Sequence, residues 1–225
     1  MGDPHPRVPR PGGGPGDTIR PSRLSVECIK FDAIFTAGPL RPTTLATSFA
    51  PFGNLRPMTT ALQIHVSLDD PRWRAAGVSP ALVRRAVKAV LARQAAGIRA
   101  ELSVALADDT TVRGLNRDWR RIDKPTNVLA FPAGDVSAAG TAGGPPRPLG
   151  DVIVAYQTVA AEARAQGKTI AAHTTHLLVH GVLHLLGFDH DTDAAAADME
   201  AVEVAVLARL GVADPYRARP TARVA

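Results

Sequence analysis

From Met58 onward, apolar residues recur with two periods, near 2 and near 3.6, and the changes between them mark out a series of elements. Leu62 to Ser67 alternates as a strand does. Ser79 followed by Pro80 supplies an N-cap and a proline at the first helical position, predicting a helix to about Ala96 that Gly97 stops. Glu101 to Ala107 alternates again, and Asp108 then caps a short helix running toward Trp119. Asn127 to Phe131 and Leu149 to Ala155 read as strands, separated by a Gly/Pro-rich loop over 133–148. A helix to about Gln166 is closed by Gly167, one over 170–187 ends at Gly187, and a last one runs from Asp193 to Leu210 before Gly211. The order β-α-β-α-β-β-α-α-α predicts an α+β fold: one mixed sheet of about four strands covered by helices, not a doubly wound one.

Residues 1–57 carry neither period. They open GDPHPRVPRPGGGPGD and continue with scattered Pro, Gly and Thr, a composition that buries too little apolar surface to offset chain entropy. Disorder is the expectation there, with a short strand over Ile29 to Phe35 as the one exception. Met58 opens the patterned region, which suggests that translation starts at Met58 and that intact-mass analysis will find the shorter species. The expected division is an extension over 1–57, one functional domain over 58–216 and a flexible tail over 217–225. The chain has 45% hydrophobic and 21% charged residues, as ordinary globular proteins do. No apolar run is long enough to cross a membrane, and no secretory leader is legible, so a cytoplasmic location without a membrane partner is expected. The single cysteine, Cys28, excludes an intramolecular disulfide and a thiolate zinc site. A net charge of +5 permits a nucleic-acid partner without requiring one.

Five of the seven histidines fall between 173 and 190. On a helix, His173, His176, His180 and His184 share one face. His180 and His184, at i and i+4, bring two imidazoles within reach of one ion, and Gly187 lets the chain turn so that His190 supplies a third. The stretch reads HGVLHLLGFDH. It matches the zinc motif of a large protease class, H-E-x-x-H-x-x-G-x-x-H, except that the glutamate serving as that class's base is Gly181 here. Three imidazoles leave a fourth position open on a tetrahedral Zn²⁺, as in catalytic rather than structural sites, and such an ion lowers the pKa of bound water to about 7. One Zn²⁺ per chain, at the end of the histidine-bearing helix, is therefore expected. His176 shares the face and is a candidate to support a ligand or touch substrate, whereas His173 is expected to be solvated. Asp189 either orients a ligand or caps the turn.

The other concentration of chemistry is Arg113 to Lys124, where Arg113, Arg117, Arg120, Arg121 and Lys124 face only Asp118 and Asp123. It reads equally as a solvated charged surface or as a phosphate-steering patch. Trp119 within it is a base-stacking candidate, although an aromatic beside charges is more often half-buried core.

Taken together, these stretches resemble the YbeY family of bacterial endoribonucleases. HGVLHLLGFDH (180–190) and LNRDWRRIDKPTNVLAFP (115–132) carry most of the similarity. LGDVIV (149–154) and the closing Asp198-Met199-Glu200 helix with Asp214-Pro215-Tyr216 add to it. The resemblance implies a zinc-dependent endoribonuclease specific for single strands, with an α+β fold and its metal site in a cleft. Its partners would be small-subunit rRNA, matured at the 3′ end, and ribosome-assembly proteins during ribosome quality control. It implies His180, His184 and His190 as metal ligands, with Arg120 and His184 as the catalytic residues. Arg120 would clamp phosphate bidentately, and Arg117, Arg121 and Lys124 would steer RNA. Ala130 stands where the family usually has serine, and Trp119 where it usually has Tyr or Phe. A metalloprotease-like hydrolase, and a non-catalytic RNA-binding assembly factor with structural zinc, are the competing readings. No residue is identified as the general base.

Overall fold

The computed structural model describes residues 62–134 and 146–217. The anticipated extension over 1–57, its Ile29 to Phe35 strand and most of the tail lie outside the described residues. The elements are β1 (Leu62–Leu68), α1 (Arg72–Ala75), α2 (Pro80–Gln94), β2 (Ala100–Ala107) and α3 (Asp109–Arg120). They continue with β3 (Val128–Pro132), β4 (Arg147–Ala155), α4 (Tyr156–Ala165), α5 (Ile170–Leu185) and α6 (Asp193–Arg209). The strands form one sheet in the order β1-β2-β4-β3. β1, β2 and β4 run parallel, and β3 pairs antiparallel with β4 from Val128 opposite Val154 to Pro132 opposite Gly150. This is the mixed α+β architecture that the pattern predicts.

Side-chain caps start four of the helices where the sequence places them. Ser79 accepts from Leu82, Asp108 from Thr111, Thr169 from Ala172 and Thr192 from Ala195. Two elements depart from expectation. α1 is too short to leave a periodic trace; it is set by Asp70, whose carboxylate accepts from the Arg72 backbone N–H at 2.9 Å, and by buried Trp73, whose indole N–H donates to the Ala107 carbonyl at 3.0 Å. β4 begins at Arg147 rather than Leu149, because the sheet recruits it: the Arg147 N–H donates to the Arg99 carbonyl at 2.9 Å.

Strand alternation puts two apolar surfaces on the sheet. Leu102, Val104, Val128, Ala130, Val152 and Val154 face the main core, which α2, α5 and α6 cover. Leu129, Ile153 and Ala155 face the other side and meet Val112 and Leu115 of α3. α5 is therefore the central helix, buried on every side from His173 to Leu185. A helix surrounded by apolar neighbours has no free place for a polar side chain, so its histidines must have partners. Among the described residues no helix is long and apolar enough to span a membrane.

Candidate metal centre

Gly181 fixes how deeply α5 sits on the sheet. A Cβ there would lie 2.9 Å from Val152 Cγ1 and 3.5 Å from Val128 Cγ2, so the helix backbone lies directly against β4 and β3. The position that bears the catalytic glutamate in the protease motif is thus filled by the sheet, with no room for any side chain. At about 100° per residue, His180 and His184 lie one turn apart to one side of this contact.

The helix ends in a Schellman motif. The Phe188 N–H donates to the Leu183 carbonyl at 3.1 Å and the Gly187 N–H to the His184 carbonyl at 3.0 Å, with Gly187 at φ 86°. That turn carries His190 back, stacked on His180 with ring centroids 5.6 Å apart and edge-on to His184 at 5.1 Å. Asp189 caps the turn, accepting the His190 backbone N–H at 2.6 Å. One ligating nitrogen from each of His180, His184 and His190 falls within a 4.8 Å set, and the Nε2 atoms of His180 and His184 lie 3.1 Å apart. Zinc–nitrogen bonds of about 2.0–2.1 Å in tetrahedral geometry place neighbouring ligand nitrogens roughly 3.3 Å apart. Exposure rises from 4% at His180 to 9% at His184 and further at His190, so the cluster opens to solvent at the helix end.

A buried carboxylate decides which His180 nitrogen is available. Glu203 of α6 has no exposed surface, and its Oε1 accepts from His180 Nδ1 at 2.6 Å. With the His180 proton held on Nδ1, Nε2 presents a lone pair toward His184 and His190, the form a metal requires. The residues present therefore fit a divalent ion bound by three neutral imidazoles. The other oxygen of Glu203 accepts from His176 Nε2 at 3.0 Å and from the Tyr216 hydroxyl. Burial opposes ionisation of Glu203, but the hydrogen bonds from His176 and His180 outweigh it and bring its pKa from 4.5 down to about 2. Burial pushes His176 downward, toward the neutral imidazole that donates one proton to the carboxylate. Burial and the adjacent Glu203 charge push the Tyr216 phenol up, which keeps it a donor.

His176, placed by its face as a candidate to support a ligand or touch substrate, lies buried beside Glu203. His173 corrects the expectation of a solvated side chain. It is 1% exposed, and its Nε2 donates to Glu162 Oε2 at 2.7 Å; Asn127 Nδ2 donates to the same carboxylate at 3.2 Å. The error came from treating α5 as amphipathic when it is enclosed. Glu203 and Glu162 carry no role in the sequence reading, and Tyr216 enters it only within the closing Asp214-Pro215-Tyr216 stretch. Glu203 left a signal: it falls on the buried stripe of α6 with Ala196, Met199 and Val206, and a carboxylate at such a position requires a partner.

The basic segment sits on the other side of the sheet. α3 covers the face opposite α5, and both helices pack against β3 at the sheet edge. Arg113 forms a bidentate pair with Asp123 at 2.8 Å for each bond, and Arg117 pairs with its neighbour Asp118 at 2.9 Å. Arg120, half-buried, is the last residue of α3, and Arg121 leaves the helix in the left-handed region at φ 62°. Lys124 is exposed in the following loop, where its carbonyl accepts from Asn116 Nδ2 at 2.7 Å. Trp119 is 39% exposed rather than half-buried, with its ring edge-on to Phe131 of β3 at 6.2 Å.

Fold and site together define an α+β protein with a three-histidine centre able to hold a metal ion at the end of its central helix. The family model described as Endoribonuclease YbeY matches residues 75–211, and the chain belongs to that family. The endoribonuclease YbeY of Paramagnetospirillum magneticum is 51% identical over 162 residues, covering 71% of this chain and 98% of the relative. That of Azorhizobium caulinodans is 48% identical over 157 residues, covering 69% and 96%. A third, from Rhodopseudomonas palustris, is 49% identical over 148 residues, covering 64% and 76%.

Proposed function

We propose that this chain is a cytoplasmic, zinc-dependent endoribonuclease that cuts single-stranded RNA, acting with ribosome-assembly proteins at the 3′ end of small-subunit rRNA. The observation that carries the reading is the convergence of His180, His184 and His190, with the His180 proton tied to Glu203, in a chain of the endoribonuclease YbeY family. A bound Zn²⁺ supplies Lewis acidity toward phosphate oxygens and acidifies a water.

The protein's own residues do the rest. His180 and His184, rooted in the buried α5, form a rigid floor, and His190 stands at the open rim. Cleavage of a phosphodiester builds charge on its nonbridging oxygens, and a guanidinium matches two of them with parallel hydrogen bonds. Arg120 holds that role, at the end of α3 near the β3 edge that α5 also touches. Arg121 and Lys124 draw the strand in by charge, and Arg117 contributes less because Asp118 offsets it. With no carboxylate at 181, two routes are open: water attacks phosphorus and yields its proton to solvent as the P–O bond to the leaving ribose oxygen breaks, or the RNA 2′-OH attacks and yields its proton to solvent as the 5′-oxygen of the next nucleotide leaves and takes up a proton. A 2′,3′-cyclic phosphate end on a defined oligonucleotide marks the second route.

The test is cleavage of a single-stranded oligoribonucleotide beside its duplex form. Single-strand cutting that a chelator abolishes and Zn²⁺ restores is expected, with Arg120→Ala lowering kcat/KM by ~10²–10³-fold. Equal cutting of the duplex, or cutting that persists in chelator, contradicts the reading. Peptide hydrolysis, the competing activity, is disfavoured by the lack of space at Gly181.

A further inference from the structure

Tyr216 lies five positions past Gly211, in the Asp214-Pro215-Tyr216 stretch that follows α6. Two contacts hold its position. Asp214 Oδ1 accepts the Tyr216 backbone N–H at 2.9 Å, bending the chain after α6, and the ring stands edge-on to His176 with centroids 5.7 Å apart. The hydroxyl reaches Glu203 Oε2, on the carboxylate whose other oxygen holds His180 Nδ1. Tyr216 is 37% exposed, yet its hydroxyl is spent on a buried carboxylate.

We propose that Tyr216 and Glu203 are positioning residues of the metal centre, so that the segment after α6 completes a site otherwise built from α5, the turn that follows it and α6. Glu203 receives three donors, from His176 Nε2, His180 Nδ1 and the Tyr216 hydroxyl, and an ionised carboxylate has lone pairs for all of them. Each further donor restricts the rotation of the carboxylate, and so restricts the plane in which the His180 ring lies. Zinc is sensitive to that plane, because the Nε2 lone pair must point at the ion. A glutamine at 203 offers one acceptor and one N–H donor. Should the amide N–H face His180, the imidazole must carry its proton on Nε2, the tautomer that cannot ligate. Removing only the Tyr216 hydroxyl leaves the tautomer correct but the carboxylate less constrained.

The proposal rests on the metal reading of the three histidines, and the experiment separates the two. Full-length wild type, Glu203→Gln, Tyr216→Phe and His184→Ala are stripped of metal. Each is titrated with Zn²⁺ against a chromophoric chelator, and with Co²⁺ while its visible absorption is recorded. Positioning predicts a ~10–100-fold loss of Zn²⁺ affinity in Glu203→Gln and a smaller loss, ~3–10-fold, in Tyr216→Phe, each with an altered Co²⁺ spectrum. Wild-type affinity and spectrum in Tyr216→Phe, in a background where His184→Ala abolishes binding, overturn the proposal. Undiminished binding in His184→Ala overturns the metal reading instead. Tyr216→Phe retains the ring packing, so it decides the matter even if Glu203→Gln fails to fold. Melting of the metal-free variants gives the control: lowered stability with unchanged affinity is a purely structural role, and counts against positioning.

Discussion

At position 181 a methyl group would meet Val152 Cγ1 at 2.9 Å, and a valine has no long flexible end that could swing aside. Alanine in place of glycine gains about 1 kcal/mol of helix propensity, while forcing apart a packed contact costs about 1–3 kcal/mol. Gly181→Ala is therefore expected to lower stability by up to about 2 kcal/mol, and denaturant unfolding checks it. Unfolding of Val152→Ala and of the double variant completes the cycle, and the two changes should be strongly non-additive because both act on one contact. The same residue shows what a linear motif can convey. Comparison with the protease motif reveals that Gly181 lacks a base, but the packing reason for its absence emerges only when α5 is laid on β4. His173 and Glu203 behave alike: their types and helical spacing are legible, but their partners, Glu162 at 2.7 Å and His180 at 2.6 Å, lie 11 and 23 positions away. Such pairings follow from how helices dock, not from any local period.

The turn after α5 is the element on which the third histidine depends. Gly187 at φ 86° occupies a conformation that costs an L-residue about 1–2 kcal/mol, and both Schellman hydrogen bonds require it. Gly187→Ala should lower stability by about that amount and also weaken Zn²⁺ binding, since His190 is displaced with the turn. Calorimetry for the first effect and chelator competition for the second would show whether the two losses travel together. Normal affinity in a destabilised protein would detach His190 from the site. At this scale the sequence is most informative. The caps Ser79 and Asp108 and the stops Gly97, Gly167, Gly187 and Gly211 fall within three residues of the helix ends they mark. The short α1 and the first residues of β4 escape because neither is locally determined. One hangs on the Asp70–Arg72 pair and the buried Trp73, the other on pairing with residues beside β2.

For the whole molecule, the centre joins α5, the turn that follows it, α6 and the chain beyond α6. An ion held there ties these parts together, so binding must stabilise the fold. Zn²⁺ at 100 times its dissociation constant adds about 2.7 kcal/mol, and chelation should lower the melting temperature of wild type while leaving His184→Ala unmoved. The basic segment and the histidine-bearing helix cover opposite faces of one sheet, and both pack against β4 and its edge neighbour β3, so under the proposed function an RNA that engages both would run past the β3 edge. The most direct test measures metal content and single-stranded RNA cleavage on the same preparations of wild type and His184→Ala. The account predicts one Zn²⁺ per wild-type chain with active cleavage, and loss of both in the variant. Full cleavage by a metal-free, folded His184→Ala protein would contradict it.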